Sequence, residues 1–374
     1  MKIEETPDNF QALDAGAAAG NAPATPESVA AFGGPERLVA EPSQAQLDLR
    51  AETETREAIT EGQSLSPLQA SLRRLGRDRR AMFFLALVLT IIVASYVGPL
   101  IYTHVGPTIQ GGPTGLDNLT PMQYHNYTSN DLSRPDSGSS PIHPLGTDAL
   151  GRDILARVMA GVNVSIEVAL LVEILDIGFG VAIGTLAGYY GGWLATFLDR
   201  FTDLMFAFPG LLFAILAAAT LGPAFQDRLG LPGRLILVAL ALGISVWPFM
   251  ARLVRGQTLQ IREQQYIEAS RTVGSSNSRI IMQHIVPNLF NIVIVAAALD
   301  VVNTIVSEAV ISLLGLGVQT PGSSLGLMIN DAVSQIALNP FEVVWPTLAL
   351  TLIVLAFSFI GDGVQDAFNP RTKD

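Results

Sequence analysis

Apolar positions along this chain gather into six long blocks separated by polar stretches, at about residues 81–101, 162–190, 203–222, 233–251, 288–316 and 343–361. A bilayer core of about 30 Å takes roughly 20 apolar residues as a helix, and each block reaches or approaches that length. Within the blocks apolar residues recur with helical periodicity rather than strict alternation. Hydrocarbon also leaves the edges of an open sheet unsatisfied. The pattern predicts an all-α membrane protein with six transmembrane helices. The second and fifth blocks run long and carry acidic residues, so their ends are the least defined.

What precedes the first block differs in kind. Residues 1–70 are rich in Ala, Glu, Pro, Gln, Ser and Thr and hold two aromatics, Phe10 and Phe32. Such a stretch buries too little apolar surface to offset ordering entropy, and the sequence predicts a disordered acidic tail over residues 1–75. Leu65–Leu75 within it reads either as a short amphipathic piece or as a solvated turn. No basic n-region with a short apolar stretch opens the chain, which argues against a signal peptide. The next divisions fall at 76–150, the first span with an external loop rich in Pro, Gly, Ser and Asn, and at 151–374, a core of five spans.

Composition supports the membrane reading and narrows the chemistry. Of 374 residues, 49% are hydrophobic and 15% charged, and mean hydropathy is +0.41. Average soluble domains carry about 25% charged residues. No cysteine is present, which excludes a disulfide scaffold. The net charge of −11 sits largely in residues 1–70, with 12 acidic and 4 basic side chains. Nothing forms the basic patch that nucleic acid requires. The only lysines are Lys2 and Lys373, so a Gly-Lys-Ser/Thr phosphate loop is ruled out.

Arginine placement predicts orientation. Five arginines, Arg73, Arg74, Arg77, Arg79 and Arg80, stand just before the first span. Counting that side as cytoplasmic puts 13 basic residues near the membrane inside and 5 outside. Both termini are then cytoplasmic, and residues 252–287 form a cytoplasmic loop. In that loop Leu259, Tyr266, Ala269 and Val273 fall at helical spacings. Gly274 suits a helix end, Ser275–Ser276–Asn277 suit a cap, and Pro287 suits the first turn of the next span. The physics leaves open whether this is a protrusion for a soluble partner or a helix lying in the headgroups.

Several residue blocks carry a family resemblance. Glu268-Ala269-Ser270, then Gly274, then Ile285-Val286-Pro287 resembles the EAA motif of ABC-importer permeases, with Ser270 in place of the second Ala, His284 at the usual Ile position and Val286 in place of Leu. His143-Pro144-Leu145-Gly146-Thr147-Asp148 with Gly151-Arg152-Asp153 and Arg157 resembles the signature before the second helix of dipeptide and oligopeptide permeases of the DppC/OppC type. Leu313 to Gln319 and Gly361 to Arg371 resemble two further segments of that family. The match runs in order from about residue 80 to 374. Residues 1–70 have no counterpart in short-tailed members, and Leu325 stands where many have Trp.

The resemblance implies a type I ABC-importer permease core in a bacterial plasma membrane. It implies a second, DppB/OppB-like permease, two ATPase subunits and an external solute-binding protein as partners. No cofactor is expected on this chain, since ATP-Mg would be bound by the partner ATPases. The chain itself is then a transport subunit without catalytic residues, moving di- or oligopeptides. Nickel or another small solute is an alternative cargo, and an ATP-independent channel or carrier an alternative class. The ATPase-coupling loop would use Glu268, Ala269, Ser270, Gly274, Ile285 and Pro287. The signature residues Gly146, Thr147, Asp148, Gly151, Arg152 and Asp153 would precede the second helix.

Other candidate residues lie within the spans. Glu173 and Asp176 share a helix face, Asp300 lies two turns before Glu308, and a lone charge at mid-bilayer costs roughly 2.5–3.5 kcal/mol. They read either as lining of a negatively charged pathway or as neutral or paired structural carboxyls. Gly180, Gly184, Gly188 and Gly192 recur every fourth residue, the spacing for close helix contact. Gly322 to Gly326 matches G-x-S-x-G around Ser324, but lacks the strand–turn–helix setting and a triad histidine. The four histidines form no metal-binding pair, and no metal site is predicted.

Overall fold

The computed structural model describes residues 67–368. Of the tail predicted as disordered over residues 1–75, residues 1–66 lie outside the described residues, as do Arg371 and Lys373, and residues 67–75 are helical rather than disordered. Pro67–Leu75 forms a short helix, α1. The six long helices are α2 (Arg79–Tyr102), α4 (Ile154–Tyr190), α6 (Gly210–Leu229), α7 (Pro232–Arg262), α10 (Val286–Leu313) and α12 (Val344–Phe368). Shorter ones fill between them: α3 (Pro121–Tyr124), α5 (Gly192–Ala207), α8 (Gln265–Thr272), α9 (Asn277–Ile280) and α11 (Leu325–Ser334).

Five helices are long and apolar enough to cross a membrane by length and composition: α2, α6, α7, the run Asn277–Leu313 and α12. The sixth is α4, whose 37 residues carry Glu167, Glu173 and Asp176. It is packed by α2, α7, α10 and α12, which bury Glu173 and Asp176, while Glu167 stays exposed and accepts from Tyr96 Oη at 3.2 Å. By contrast α2 turns Phe83, Leu89 and Leu100 outward, as a lipid-facing helix does.

Two boundaries differ from the hydropathy reading. The third block, read as 203–222, is broken at Phe208–Pro209, because proline supplies no amide donor and disfavours helix in the residue before it. α5 ends there and α6 carries the span onward to Leu229. The fourth span does not stop near residue 251. α7 runs on to Arg262 because Val254, Thr258 and Ile261 keep a buried stripe in register. The connecting loop read as 252–287 is therefore mostly helical, and its turning part is confined to Glu263–Ser276.

The glycine repeat of α4 is a contact with α7. A Cβ on Gly184 would stand 2.5 Å from the Ala251 carbonyl oxygen, and one on Gly188 would stand 2.7 Å from Thr258 Cβ. Gly180 meets Met250 in the same way. The repeat ends there, because Gly192 lies past the helix end at φ +62° with nothing near it. At one end of the bundle the segment between α2 and α4 adds an antiparallel pair that hydropathy does not predict, β1 (Ile109–Gly111) on β2 (Asp117–Leu119), with Gln110 opposite Asn118.

Candidate functional site

Three groups of polar residues stand out from the apolar bundle, one at each end of α4 and one between.

At the C-terminal end of α4 the chain makes an exposed elbow from α8 and α9. α8 is anchored by one fully buried side chain, Ile267, which joins Ile280, Ile285 and Leu289 in a core shared with α7 and α10. Its other faces are open: Glu268 and Ala269 are exposed and Ser270 is half-buried, its hydroxyl donating to the Tyr266 carbonyl at 2.8 Å. The helix ends at Gly274, whose φ of +85° turns the chain, and the Ser275 amide donates back to the Ser270 carbonyl at 3.0 Å. Val273 is 86% exposed beside it. Ser276 then stands at the N-cap of α9, one wide turn spans Ile281–Ile285, and Pro287 sits in the first turn of α10.

The elbow is tied to the bundle. Arg262 donates to the carbonyls of Gly188 and Tyr189 at 3.2 Å, Tyr189 donates to Asn277 Oδ1 at 2.9 Å, and the Arg271 guanidinium lies 5.3 Å above the Tyr189 ring. A rigid helix with one buried root and an exposed face can transmit a push or pull to α4, α7 and α10 together.

At the other end of α4 the signature residues form a buried ionic knot. Asp148 Oδ1 accepts from the amides of Leu150 and Arg152, both at 2.9 Å. Its Oδ2 accepts from Arg152 Nε at 2.7 Å and from Arg157 Nη1 at 2.5 Å. Both arginines reach on to Asp331 of α11, Arg157 at 2.9 Å and Arg152 at 3.3 Å. Asp153 caps α4 by accepting from the Ala156 amide at 2.8 Å, and its Oδ2 takes Tyr102 Oη and His143 Nδ1, each at 2.8 Å. Gly146 and Gly151 turn the chain, and Thr147 pairs with Asp153 across it. One cluster thus ties α2, α4, α11 and the segment that joins α2 to α4.

Glu342, just before α12, is also part of this end. It is 3% exposed, and burial, with Asp148, Asp136 and Asp331 adding to it and Arg157 opposing, pushes its carboxyl up to about 7. Its protonated form is therefore the one the fold prefers. The fold loses stability as pH rises from about 4.5 through 7, because ionisation is easier in the unfolded chain. Glu342→Gln is expected to add about 1–2 kcal/mol above pH 7, after partial solvent screening, and nothing near pH 4.5. Thermal unfolding in detergent at the two pH values tests it, and equal effects at both would refute the assignment.

Between the two ends, the four acidic residues singled out from the spans divide. Glu308 is 1% exposed and accepts from Ser312 Oγ at 2.7 Å and Ser165 Oγ at 3.0 Å. Glu173 and Asp176 of α4 instead face Asp300 of α10, and one oxygen of each lies within 4.8 Å of the others. Ser324 of the G-x-S-x-G match is fully buried and caps α11, accepting from the Leu327 amide at 3.2 Å.

Two partners were not found from the sequence, Asp331 and Glu342. Neither lies in a recognisable pattern, and both meet Arg157 or Asp148 only through long-range packing.

Residues 180–374, more than half of the chain, match the family described as binding-protein-dependent transport system inner membrane component. Residues 66–121 match the N-terminal TM domain of oligopeptide transport permease C. The glutathione transport system permease protein GsiD of Shigella flexneri is 38% identical over 255 residues, covering 68% of this chain and 80% of that protein. The GsiD protein of Salmonella typhimurium is 39% identical over the same coverage. Among solved structures, an inward-facing form of the MetNI methionine ABC transporter covers 58% of this chain and 96% of that chain, at 19% identity and a TM-score of 0.45. With the family match and the GsiD relatives in agreement, the chain belongs to the inner-membrane components of binding-protein-dependent transport systems, as a multi-pass, OppC-like permease subunit of an ABC transporter and not an enzyme, the ATPase being a separate subunit.

Proposed function

We propose that this chain forms half of the membrane pathway of a bacterial importer for short peptides, glutathione-like peptides among them. A second, DppB/OppB-like permease supplies the other half, and an external solute-binding protein delivers the cargo. Two ATPase subunits bind ATP-Mg and grip the elbow built by Glu268, Ala269, Ser270 and Gly274, with Ile285 and Pro287 fixing it to α10. Both termini lie in the cytoplasm, in line with the arginine count.

The observation that carries this reading is the elbow. It presents an exposed short helix with apolar Val273 at 86% and Tyr266 at 44% exposure, in a loop otherwise polar. Its buried root at Ile267 gives a docked partner leverage on three spans. The peptide class of cargo is supported by the oligopeptide permease match and by relatives named for glutathione transport.

Purification of the chain in mild detergent from its own membrane tests the assembly. Recovery of a second permease and two ATPase subunits in stoichiometric amount is the expected result. Recovery of this chain alone, still transporting in vesicles without ATP, would overturn it.

A further inference from the structure

The contact between α4 and α10 carries four carboxyls, and hydrogen bonding accounts for one of them. Glu308 is held by two serine hydroxyls. Glu173, Asp176 and Asp300 have no comparable partners. Glu173 leaves both Oε1 and Oε2 buried without a hydrogen bond, as do Asp176 at Oδ1 and Asp300 at Oδ2. Glu173 is 7% exposed and Asp176 2%. A donor reaches the group once among the described residues, from Asn303 Nδ2 to Asp300 Oδ1 at 3.4 Å. Thr304, one turn along α10 from Asp300, is buried with its hydroxyl also unpartnered.

No basic side chain answers these charges. The chain has no Arg, Lys or His between Arg157 and Arg200, none in α10 or α12, and none in α2 after Arg80. The arginines of α7 are engaged elsewhere: Arg252 with Asp203, Arg255 with Asp199, Arg234 with Gln226 and Arg262 with two carbonyls. Three carboxylates this close repel strongly in a low-dielectric interior unless a cation or protons lie among them.

The geometry favours a cation. Three oxygens within 4.8 Å of one another always share a point about 2.8 Å or less from each, close to the 2.3–2.6 Å of calcium–oxygen ligation. We propose that Glu173, Asp176 and Asp300 form a binding site for a hard divalent metal ion, pinning α4 to α10 inside the membrane. Because α10 continues into the elbow, the ion would stiffen the connection between the elbow and the bundle. The inference is independent of which solute is carried.

The full-length chain, with whatever subunits accompany it, is stripped with a chelator and incubated separately with Ca2+, Mn2+ and Mg2+. Metal content after dialysis and thermal unfolding are then measured. The expected result is retention of about one equivalent of at least one of these ions per chain, with unfolding raised by several degrees. Glu173→Gln/Asp300→Asn is expected to abolish both effects, while its stripped form is no less stable than the stripped parent because like-charge repulsion is relieved. Retention of none of the three ions, with unfolding unchanged, would overturn the site and assign the carboxyls to bound protons. Retention of the ion by the double variant would overturn it equally. Should the double variant fail to accumulate, the titrations of the parent chain decide alone.

Discussion

Arg157→Leu is expected to destabilise the protein by about 3–5 kcal/mol, enough to remove most of it from the membrane. Arg157 is 1% exposed and spans Asp148 and Asp331 through two different nitrogens. Removing it leaves buried Asp148 and half-buried Asp331 sharing Arg152, whose reach to Asp331 is already 3.3 Å. The penalty comes from the uncompensated charges rather than from the lost attraction. Arg157→Lys is expected to fall between, since one ammonium cannot hold both carboxylates in the geometry of a planar fork. Membrane abundance and unfolding temperature in detergent provide the measurement. A Leu variant within about 1 kcal/mol of the parent would show that the knot is not a stabilising element.

The second large effect is on coupling and follows from the proposed docking at the elbow. Gly274→Val is expected to leave the protein in the membrane at near-normal amount, yet reduce ATP-driven uptake roughly tenfold or more. At φ +85° a β-branched residue is strained by about 1–2 kcal/mol per position, although no atom lies where the new Cβ would go. The strain is relieved by reshaping the turn, which tilts α8 and its exposed face while the buried root at Ile267 stays seated. Gly274→Ala is expected to be milder, since its Cβ lacks the second branch. Uptake and ATP hydrolysis in reconstituted vesicles separate the outcomes, and a Val variant with normal uptake would remove the elbow from the coupling role.

How far each of these features could be read beforehand depends on the range of the interaction. The elbow was legible because its parts are neighbours in sequence: a helical spacing ending in Gly274, a capping stretch, then a proline opening the next span. The close packing of Gly180, Gly184 and Gly188 was legible for the same reason, although the helix that fills the groove was not. The break at Pro209 was in plain view but was overridden by a continuous apolar run. Asp331 stands 174 residues from its partner Arg157, and no local pattern connects the two.

The chain alone thus determines which segments enter the membrane, where they must turn, and that acids lie within two of them. These follow from hydrophobic burial and backbone conformation, which act between near neighbours and leave periodicities in the sequence. The tertiary structure decided how those acids are grouped, joining Glu173 and Asp176 with Asp300 while giving Glu308 to Ser165 and Ser312. It also decided that Arg157 is shared between Asp148 and Asp331. Such groupings depend on the crossing and axial register of helices far apart in the chain, and a shift of one residue would exchange their partners without altering hydropathy.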